Sequence, residues 1–368
     1  MKCIILASVS DIGSGLPRAA HYFGRGNPMD DLMYGTRDKR GNWTPDARLE
    51  IAPFWLGKFN KMGRFLVDFI WPWNAFHMAT ALLYWIFVIP DVETMKTITW
   101  GWALWLLAAN AVGIFLMYGA IELFYYAKRI QGTRFKYNHK FPSENPSDVF
   151  WFKSQNLDNF LRSIFVGIPI WTAVEVGMLW CYANGIGFWL DWQDNWLWLG
   201  VLVVLVPAIH EVHFFFIHRL IHTPWLYKHV HSVHHNSINP SPWSSLSMHP
   251  VEHLLYFGEI VWHLIIPSNP IVMLFNSHVV GYGAINGHIG FDKLELTDEN
   301  ALDSHAYAHY LHHKYFEVNY GADGLVPLDK WFGYWHDGSR EADEQMKERF
   351  RRKKARVNAR KGAGIPAK

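Results

Sequence analysis

Histidine is the residue type that dominates the candidate chemistry of this sequence. The 368 residues include 21 histidines, and 18 of them lie between His210 and His336. Three short motifs concentrate them: HRLIH at 218–222, HSVHH at 231–235 and HYLHH at 309–313. On a helix, residues three or four positions apart have Cβ atoms about 5–6 Å from each other, so each motif can direct its imidazoles at one point. Because neutral imidazole binds iron, zinc and copper, the spacing predicts a metal site.

The three motifs supply more ligands than a single ion takes. Their eight histidines are His218, His222, His231, His234, His235, His309, His312 and His313. We therefore infer two metal ions. Nearby acids such as Glu211, Glu252 and Asp303 are candidates for orienting the ring N–H groups. A solvated or structural salt bridge is the alternative for each of these acids.

The elements that must position these histidines include long apolar runs. Four runs lie at 69–90, 100–121, 163–190 and 195–217, and each has roughly the 20 residues that a helix needs to cross a bilayer. Tryptophans gather near their ends, as is typical of membrane–water interfaces. A fifth stretch, 254–280, is broken by acidic, amide and proline residues, which favours a re-entrant or interfacial hairpin.

These runs predict an all-α membrane protein. About four transmembrane helices and the hairpin are expected to carry a cytoplasmic, helical, histidine-rich metal domain. The alternative is a large soluble helical protein. We expect a cytoplasmic N-terminal segment at 1–62, transmembrane helices at 63–207, a catalytic domain at 208–336 and a basic cytoplasmic tail at 337–368.

Charge predicts the orientation of the chain in the membrane. Lysine and arginine precede the first run and fill 128–140, which contains no acid. By the positive-inside rule, the N-terminus, the 128–153 loop and everything after the fourth run face the cytoplasm. The tail at 349–361 has eight basic residues and no acid. It is either a weak lipid-binding element or a solvated terminus.

Composition excludes several classes of protein. Half of the residues are hydrophobic and only 18% are charged, which excludes an intrinsically disordered chain. The two cysteines, Cys3 and Cys181, are too few for a disulfide framework or an iron–sulfur cluster. The net charge of +2 gives no general reason to expect nucleic acid as a partner.

The motifs and their flanking residues resemble the sterol desaturase branch of the fatty acid hydroxylase superfamily. HRLIH is followed by LYKHVHSVHH at 226–235, and HYLHH is followed by NYG at 319–321 and LDKWFG at 328–333. GHIGF at 287–291 is similar to the family's lone histidine before Gly and an aromatic residue. His249-Pro250 also fits. The resemblance covers about residues 208–336, and the upstream runs match only in kind.

The resemblance implies a membrane di-iron oxygenase with two Fe ions and O2 as co-substrate. The ligands carried over by position are His218, His222, His231, His234, His235, His288, His309, His312 and His313. His288 comes from the resemblance and not from spacing. The implied reaction is hydroxylation or desaturation of a membrane lipid, sterol-like or fatty-acyl. The resemblance also implies an external electron source, and since the printed sequence contains no HPGG heme motif, we expect the carrier to be a separate cytochrome b5-like or ferredoxin-like protein.

Departures from the family pattern narrow this interpretation. Ala284 stands where fatty acid 2-hydroxylases carry a further histidine, which favours the sterol-type members. Lys330 and Tyr334 replace an Arg and a Thr in the closing motif. The roles of five other histidines stay open: His210, His213, His249, His253 and His305.

Two other classes of protein use the same residue type. A zinc-dependent membrane hydrolase or isomerase needs a water-activating base, and the chain contains no HExxH motif to supply one. A metal-binding transporter places its ligands along a path through several spans. Here they cluster after the last apolar run.

Overall fold

The computed structural model describes residues 29–53, 56, 58–142, 145–321 and 324–362. Cys3 and the first 28 residues of the predicted N-terminal segment lie outside the described residues. Within them the protein is mostly helical. The helices are α1 (Phe59–Ile70), α2 (Trp73–Phe87), α3 (Val92–Met95), α4 (Trp100–Ile121), α5 (Gln155–Arg162), α6 (Ile168–Ala183), α7 (Trp192–Ile221), α8 (Pro224–Leu226), α9 (Ser232–His235), α10 (Pro250–Phe257), α11 (Pro270–Gly281), α12 (Tyr307–Tyr315), α13 (Leu328–Trp331) and α14 (Arg340–Gly362).

The strands in the described part of the chain form two short antiparallel hairpins. β1 (Gly35–Arg37) pairs with β2 (Trp43–Pro45), and β3 (Lys293–Glu295) pairs with β4 (Ala301–Asp303). Each strand has three residues, so the hairpins close loops beside the helices and contribute no sheet layer.

Three of the described helical segments are long and apolar enough to cross a membrane, by length and composition. They are Trp100–Ala127, Gln155–Ala183 and Trp192–Ile221. The first is α4 with a π-helical turn, the second is α5 and α6 joined by a π-helical turn, and the third is α7. Large apolar side chains such as Leu104, Phe115 and Val204 are more than half exposed on them, which suits contact with lipid.

The first predicted span is divided in the structure. Residues 69–90 fall on the end of α1 and on α2, and Pro72 lies between the two helices. Proline lacks the N–H that a helix interior requires, so it ends the run. The 15 residues of α2 extend about 22 Å, less than the roughly 30 Å of a hydrocarbon core. Four transmembrane helices are therefore not confirmed; α2 packs along α11.

The predicted hairpin at 254–280 is formed by helices. α10 and a 3-10 helix at Gly258–Leu264 make its first arm, and α11 makes the second. The side chain of Asn269 accepts a hydrogen bond from Ile271 N and caps α11, while Pro270 occupies its first turn. Apart from Ile271, every residue of α11 is buried, so this arm is surrounded by α2, α6, α7 and α10.

The histidine-rich layer is assembled where several helices end. It contains the end of α7, α8, α9, a 3-10 helix at Gly283–His288 and α12. The loop between α4 and α5 packs on this layer through two contacts. Its Lys136 forms a β-bridge with Phe291, and its Lys140 carbonyl accepts a hydrogen bond from Asn239 Nδ2. The end of α4, the start of α5 and the end of α7 therefore lie on one side of the molecule.

Candidate metal centre

The fold brings all nine predicted histidines together in two groups. The first contains His218, His222, His231, His235 and His312, and the second contains His234, His288, His309 and His313. Within each group the ligand nitrogens lie within 4.8 Å of one another. Eight of the nine rings are buried, and His222 is partly buried.

Two of the sequence motifs are shared between the groups. In HSVHH at 231–235, His231 and His235 lie one helical turn apart and belong to the first group, whereas His234 belongs to the second. In HYLHH at 309–313 the split is reversed: His309 and His313 join the second group, and His312 joins the first. Helices that carry three histidines on adjoining faces thus connect two neighbouring sites.

The Nε2 atoms converge closely at each point. His235 Nε2 lies 3.0 Å from His231 Nε2 and 3.3 Å from His222 Nε2. In the second group, His288 Nε2 lies 3.1 Å from His234 Nε2 and 3.2 Å from His313 Nε2.

Backbone carbonyls determine which ring nitrogen carries the proton in three of these histidines. His218 Nδ1 lies 2.9 Å from Tyr320 O, His288 Nδ1 lies 3.0 Å from Ala284 O, and His312 Nδ1 lies 2.8 Å from Val318 O. A carbonyl oxygen only accepts, so Nδ1 must donate, and in a neutral ring Nε2 then holds a lone pair.

A bound cation accounts for this arrangement. The lone pair of His288 Nε2 faces three other Nε2 atoms within 3.3 Å, and one donated proton could satisfy only one of those contacts. His218 Nε2 has no hydrogen-bond partner among the described residues. Converging imidazole nitrogens are ligands for divalent transition metals. The residues present therefore fit one metal ion in each group.

Burial keeps these rings in the ligand form. It lowers the pKa of His288 to about 4 and the pKa of His222 to about 2, and it holds the pKa of His231 well below its usual range. Neutral rings at physiological pH keep their lone pairs free for a metal.

Of the three candidate acids, Glu252 contacts a histidine of the two groups. His231 Nδ1 lies 2.7 Å from Glu252 Oε1, and both side chains are buried. Glu211 instead accepts hydrogen bonds from Gly324 N and Val326 N. Asp303 forms an ion pair with Lys293.

One supporting residue was not assigned a role from sequence. Asp329 accepts hydrogen bonds from the backbone N–H groups of Tyr320 and Gly321, at 2.8 and 2.7 Å. It thereby fixes the segment whose Tyr320 carbonyl orients His218. Burial raises the pKa of the Asp329 carboxyl to about 6. The NYG and LDKWFG motifs were the available signal, although sequence alone does not show that they meet.

The other histidines lie outside both groups. His210 Nδ1 lies 2.8 Å from Glu259 Oε2, and His213 Nε2 lies 2.9 Å from Leu255 O. His249 caps α10 by accepting from Val251 N, and His253 stacks on the ring of Phe257. His305 lines the cavity described next.

A cavity of about 940 Å³ opens onto both groups. Its volume is at the upper end of the ~300–1,000 Å³ of ligand sites. It reaches histidines of both groups, including His218 and His288. The apolar side chains in its wall include Phe65, Phe69, Trp73, Phe214, Ile217, Tyr256 and Val279. Residues of α1 and α2 thus help to form the wall, upstream of the predicted catalytic segment.

Comparison with known proteins finds one matching family model and several relatives whose names describe oxidation of sterols. Residues 203–334 match the fatty acid hydroxylase family model. A Delta(7)-sterol 5(6)-desaturase of Gibberella zeae is 33% identical over 46% of this chain and 53% of its own length. Lathosterol oxidase of Rattus norvegicus is 28% identical over 36% of this chain and 44% of its own. Methylsterol monooxygenase 1 of Gallus gallus is 26% identical over 45% of this chain and 56% of its own.

These matches confirm the predicted resemblance to the fatty acid hydroxylase superfamily and, within it, to the sterol desaturases. The chain spans about half the length of the curated relatives it matches. No solved structure gives a significant match. With the three apolar helices, the relatives indicate a membrane protein.

Proposed function

We propose that this protein is an integral membrane di-iron oxygenase. It hydroxylates or desaturates a C–H bond of a sterol-like or fatty-acyl lipid, using O2 and two external electrons. The observation that carries the proposal is the convergence of nine histidines into two all-nitrogen groups on one apolar cavity. The relatives named as sterol desaturases and a sterol monooxygenase support a lipid substrate and oxidative chemistry.

The proposed ligands are the nine histidines in the division given by the structure. When bound, two irons would supply the O2 activation that oxidation of an unactivated C–H bond requires. Other residues of the chain orient the imidazole rings of these ligands. Glu252 and the Tyr320, Val318 and Ala284 carbonyls fix ring orientation, since such partners set which nitrogen faces the metal.

The cavity positions the substrate and limits access of water. Phe214 lines the cavity beside the proposed metal site, with its ring centroid 4.6 Å from that of His218 and 5.8 Å from that of His210. An apolar wall of this kind favours a lipid chain or ring system and excludes bulk water near the reacting carbon.

The active site is proposed to face the cytoplasm. The basic 128–153 loop packs on the histidine-rich layer, as the Lys136–Phe291 and Asn239–Lys140 contacts show. The positive-inside rule assigns such a loop to the cytoplasmic side, so the metal site follows it. A reporter inserted in this loop should be protected in sealed, right-side-out cells. Labelling from outside would contradict the orientation.

The electrons are proposed to come from a separate cytochrome b5-like or ferredoxin-like protein. Purified protein reconstituted with Fe(II) in liposomes should then need an added carrier or chemical reductant for turnover. Mass spectrometry of the lipids should show a product 16 Da heavier for hydroxylation or 2 Da lighter for desaturation. Oxidised lipid should be missing from the His234→Ala control. Hydrolysed lipid formed equally with zinc would favour the hydrolase instead.

A further inference from the structure

The wall of the cavity contains a histidine that the proposed metal site does not use. His77 lies on α2, is 1% exposed and lines the cavity. Neither of its ring nitrogens has a hydrogen-bond partner among the described residues. Burying such a polar group without a partner is unfavourable. A buried, unpartnered imidazole in the wall of a ligand cavity points to a hydrogen bond made by the ligand.

Packing holds this ring in place. A Cβ at Gly283 would lie 3.1 Å from His77 Cε1, so glycine at 283 leaves the space that the imidazole occupies. Gly283 also opens the 3-10 helix that ends in the metal-site residue His288. At about 2 Å per residue, these five steps separate the two positions by roughly 10 Å along the backbone. Since His77 and His288 both line the cavity, a ligand in it can contact His77 while another part of the ligand lies beside the proposed metal centre.

Charge in the cavity wall disfavours an anionic ligand. The lining lysines and arginines are each paired with an acid: Arg48 with Glu341, Lys61 with Glu50, Arg64 with Asp68, and Lys293 with Asp303. None of them belongs to α2. A neutral imidazole offers one donor and one acceptor, and a hydroxyl group can use both.

We propose that His77 binds the hydroxyl group of a neutral lipid and thereby sets which carbon reaches the metal centre. This inference rests on the proposed function for its lipid substrate class. The hydroxyl lies at His77, the apolar body fills the cavity between Phe69, Phe214 and Val279, and the reacting carbon lies near His288. His77 is a positioning residue for the reaction and the specificity residue for the hydroxyl.

The test compares two ligands that differ only in the hydroxyl. Lathosterol and its 3-deoxy analogue are titrated into the full-length protein in nanodiscs, and binding is followed by tryptophan fluorescence. One hydrogen bond should make wild-type protein bind lathosterol about tenfold more tightly, which equals ~1.4 kcal/mol. His77→Phe should reduce this ratio to near one. His77→Gln, which keeps a donor and an acceptor, should retain most of it.

His253→Phe is the matched control. His253 is also fully buried, and neither of its ring nitrogens has a hydrogen-bond partner in the part of the chain that the structure describes, but it does not line the cavity. This variant should keep the tenfold ratio. A ratio that stays at tenfold in His77→Phe, or that falls equally in His253→Phe, overturns the inference.

Product formation by wild-type protein separates the two proposals. If wild-type protein forms oxidised lipid but His77→Phe still prefers the hydroxylated sterol, the role of His77 is overturned and the proposed oxygenase function is supported. Loss of the preference in His77→Phe without any oxidised product from wild type supports the hydroxyl site and contradicts the oxygenase. Wild-type protein that binds neither sterol overturns the inference.

Discussion

The contact between Glu252 and His231 gives a quantitative prediction for the first metal group. The Nδ1–Oε1 distance is 2.7 Å, and both side chains are almost fully buried. Glu252→Gln keeps the shape and one acceptor oxygen but removes the negative charge that a bound metal ion would favour, since burial alone raises the pKa of the Glu252 carboxyl well above its usual range. Hydrogen bonds to charged groups contribute ~1.5–3 kcal/mol, against ~0.5–1.5 kcal/mol for neutral ones. The loss of about 1 kcal/mol predicts roughly fivefold weaker metal binding in the group that contains His231.

Glu252→Leu should have a larger effect. It leaves the His231 N–H buried without an acceptor, so affinity should fall by about 10–100-fold, as for other partners of metal-bound histidines. The assay is competition with an iron chelator, with bound iron counted by mass spectrometry. Because His231 belongs to one group only, one of two irons should leave at lower chelator concentration.

The control uses a second histidine–glutamate pair, in which the glutamate is buried and the histidine is partly buried. His210 Nδ1 lies 2.8 Å from Glu259 Oε2, and His210 belongs to neither metal group. Glu259→Gln should leave the chelator titration unchanged. Wild-type iron retention in both Glu252 variants, or equal loss in Glu259→Gln, would refute the role assigned to Glu252.

Three further predictions follow from the same geometry. His234→Ala and His312→Ala each remove one ligand from a different group, so each should halve the iron content and abolish product while the protein still inserts into membranes; full activity in either variant would contradict the ligand assignment. In Gly287→Ala the added Cβ would lie 2.8 Å from His309 Cδ2, so iron should be lost from the second group at unchanged protein yield; unchanged iron content would contradict it. Burial lowers the pKa of His253 to about 3, whereas the pKa of histidine in the unfolded chain is ~6.5. The unfolded chain therefore binds a proton more readily than the folded protein, so the free energy of unfolding is highest above pH 6.5 and falls as the pH is lowered toward 3. His253→Phe should therefore lose less unfolding free energy than wild type between pH 6 and 4, by roughly 2 kcal/mol, measured by chemical unfolding in detergent; equal losses would contradict the burial argument.

The convergence of the nine histidines could be predicted from sequence, because helical spacing indicates eight of them and the family order adds His288. HRLIH sends both of its histidines to one group, as the four-residue spacing suggests. The division of HSVHH and HYLHH between two groups could not be predicted, because spacing gives the faces of one helix and not its neighbours. Sequence alone did not distinguish Glu252 from Glu211 and Asp303 as a partner for a histidine. The contact between Glu252 and His231 depends on tertiary packing.

Hydropathy predicted three of the long helices and missed the break at Pro72. The run at 69–90 contains no charged residue, but α2, which forms most of it, packs along the buried helix α11. His77 carried no spacing signal, since it is a single histidine within that apolar run. Its significance comes from the cavity that α2 shares with α7 and the segment around His288.

The central claim is tested most directly by counting irons and O2 in one preparation. Full-length protein is reconstituted anaerobically with Fe(II), freed of loose metal, and supplied with lipid, reductant and O2. A di-iron oxygenase should retain two irons per chain and consume O2 in step with the formation of oxidised lipid. A preparation that retains two irons but consumes no O2 with lipid and reductant, or that retains one iron or none, would contradict it.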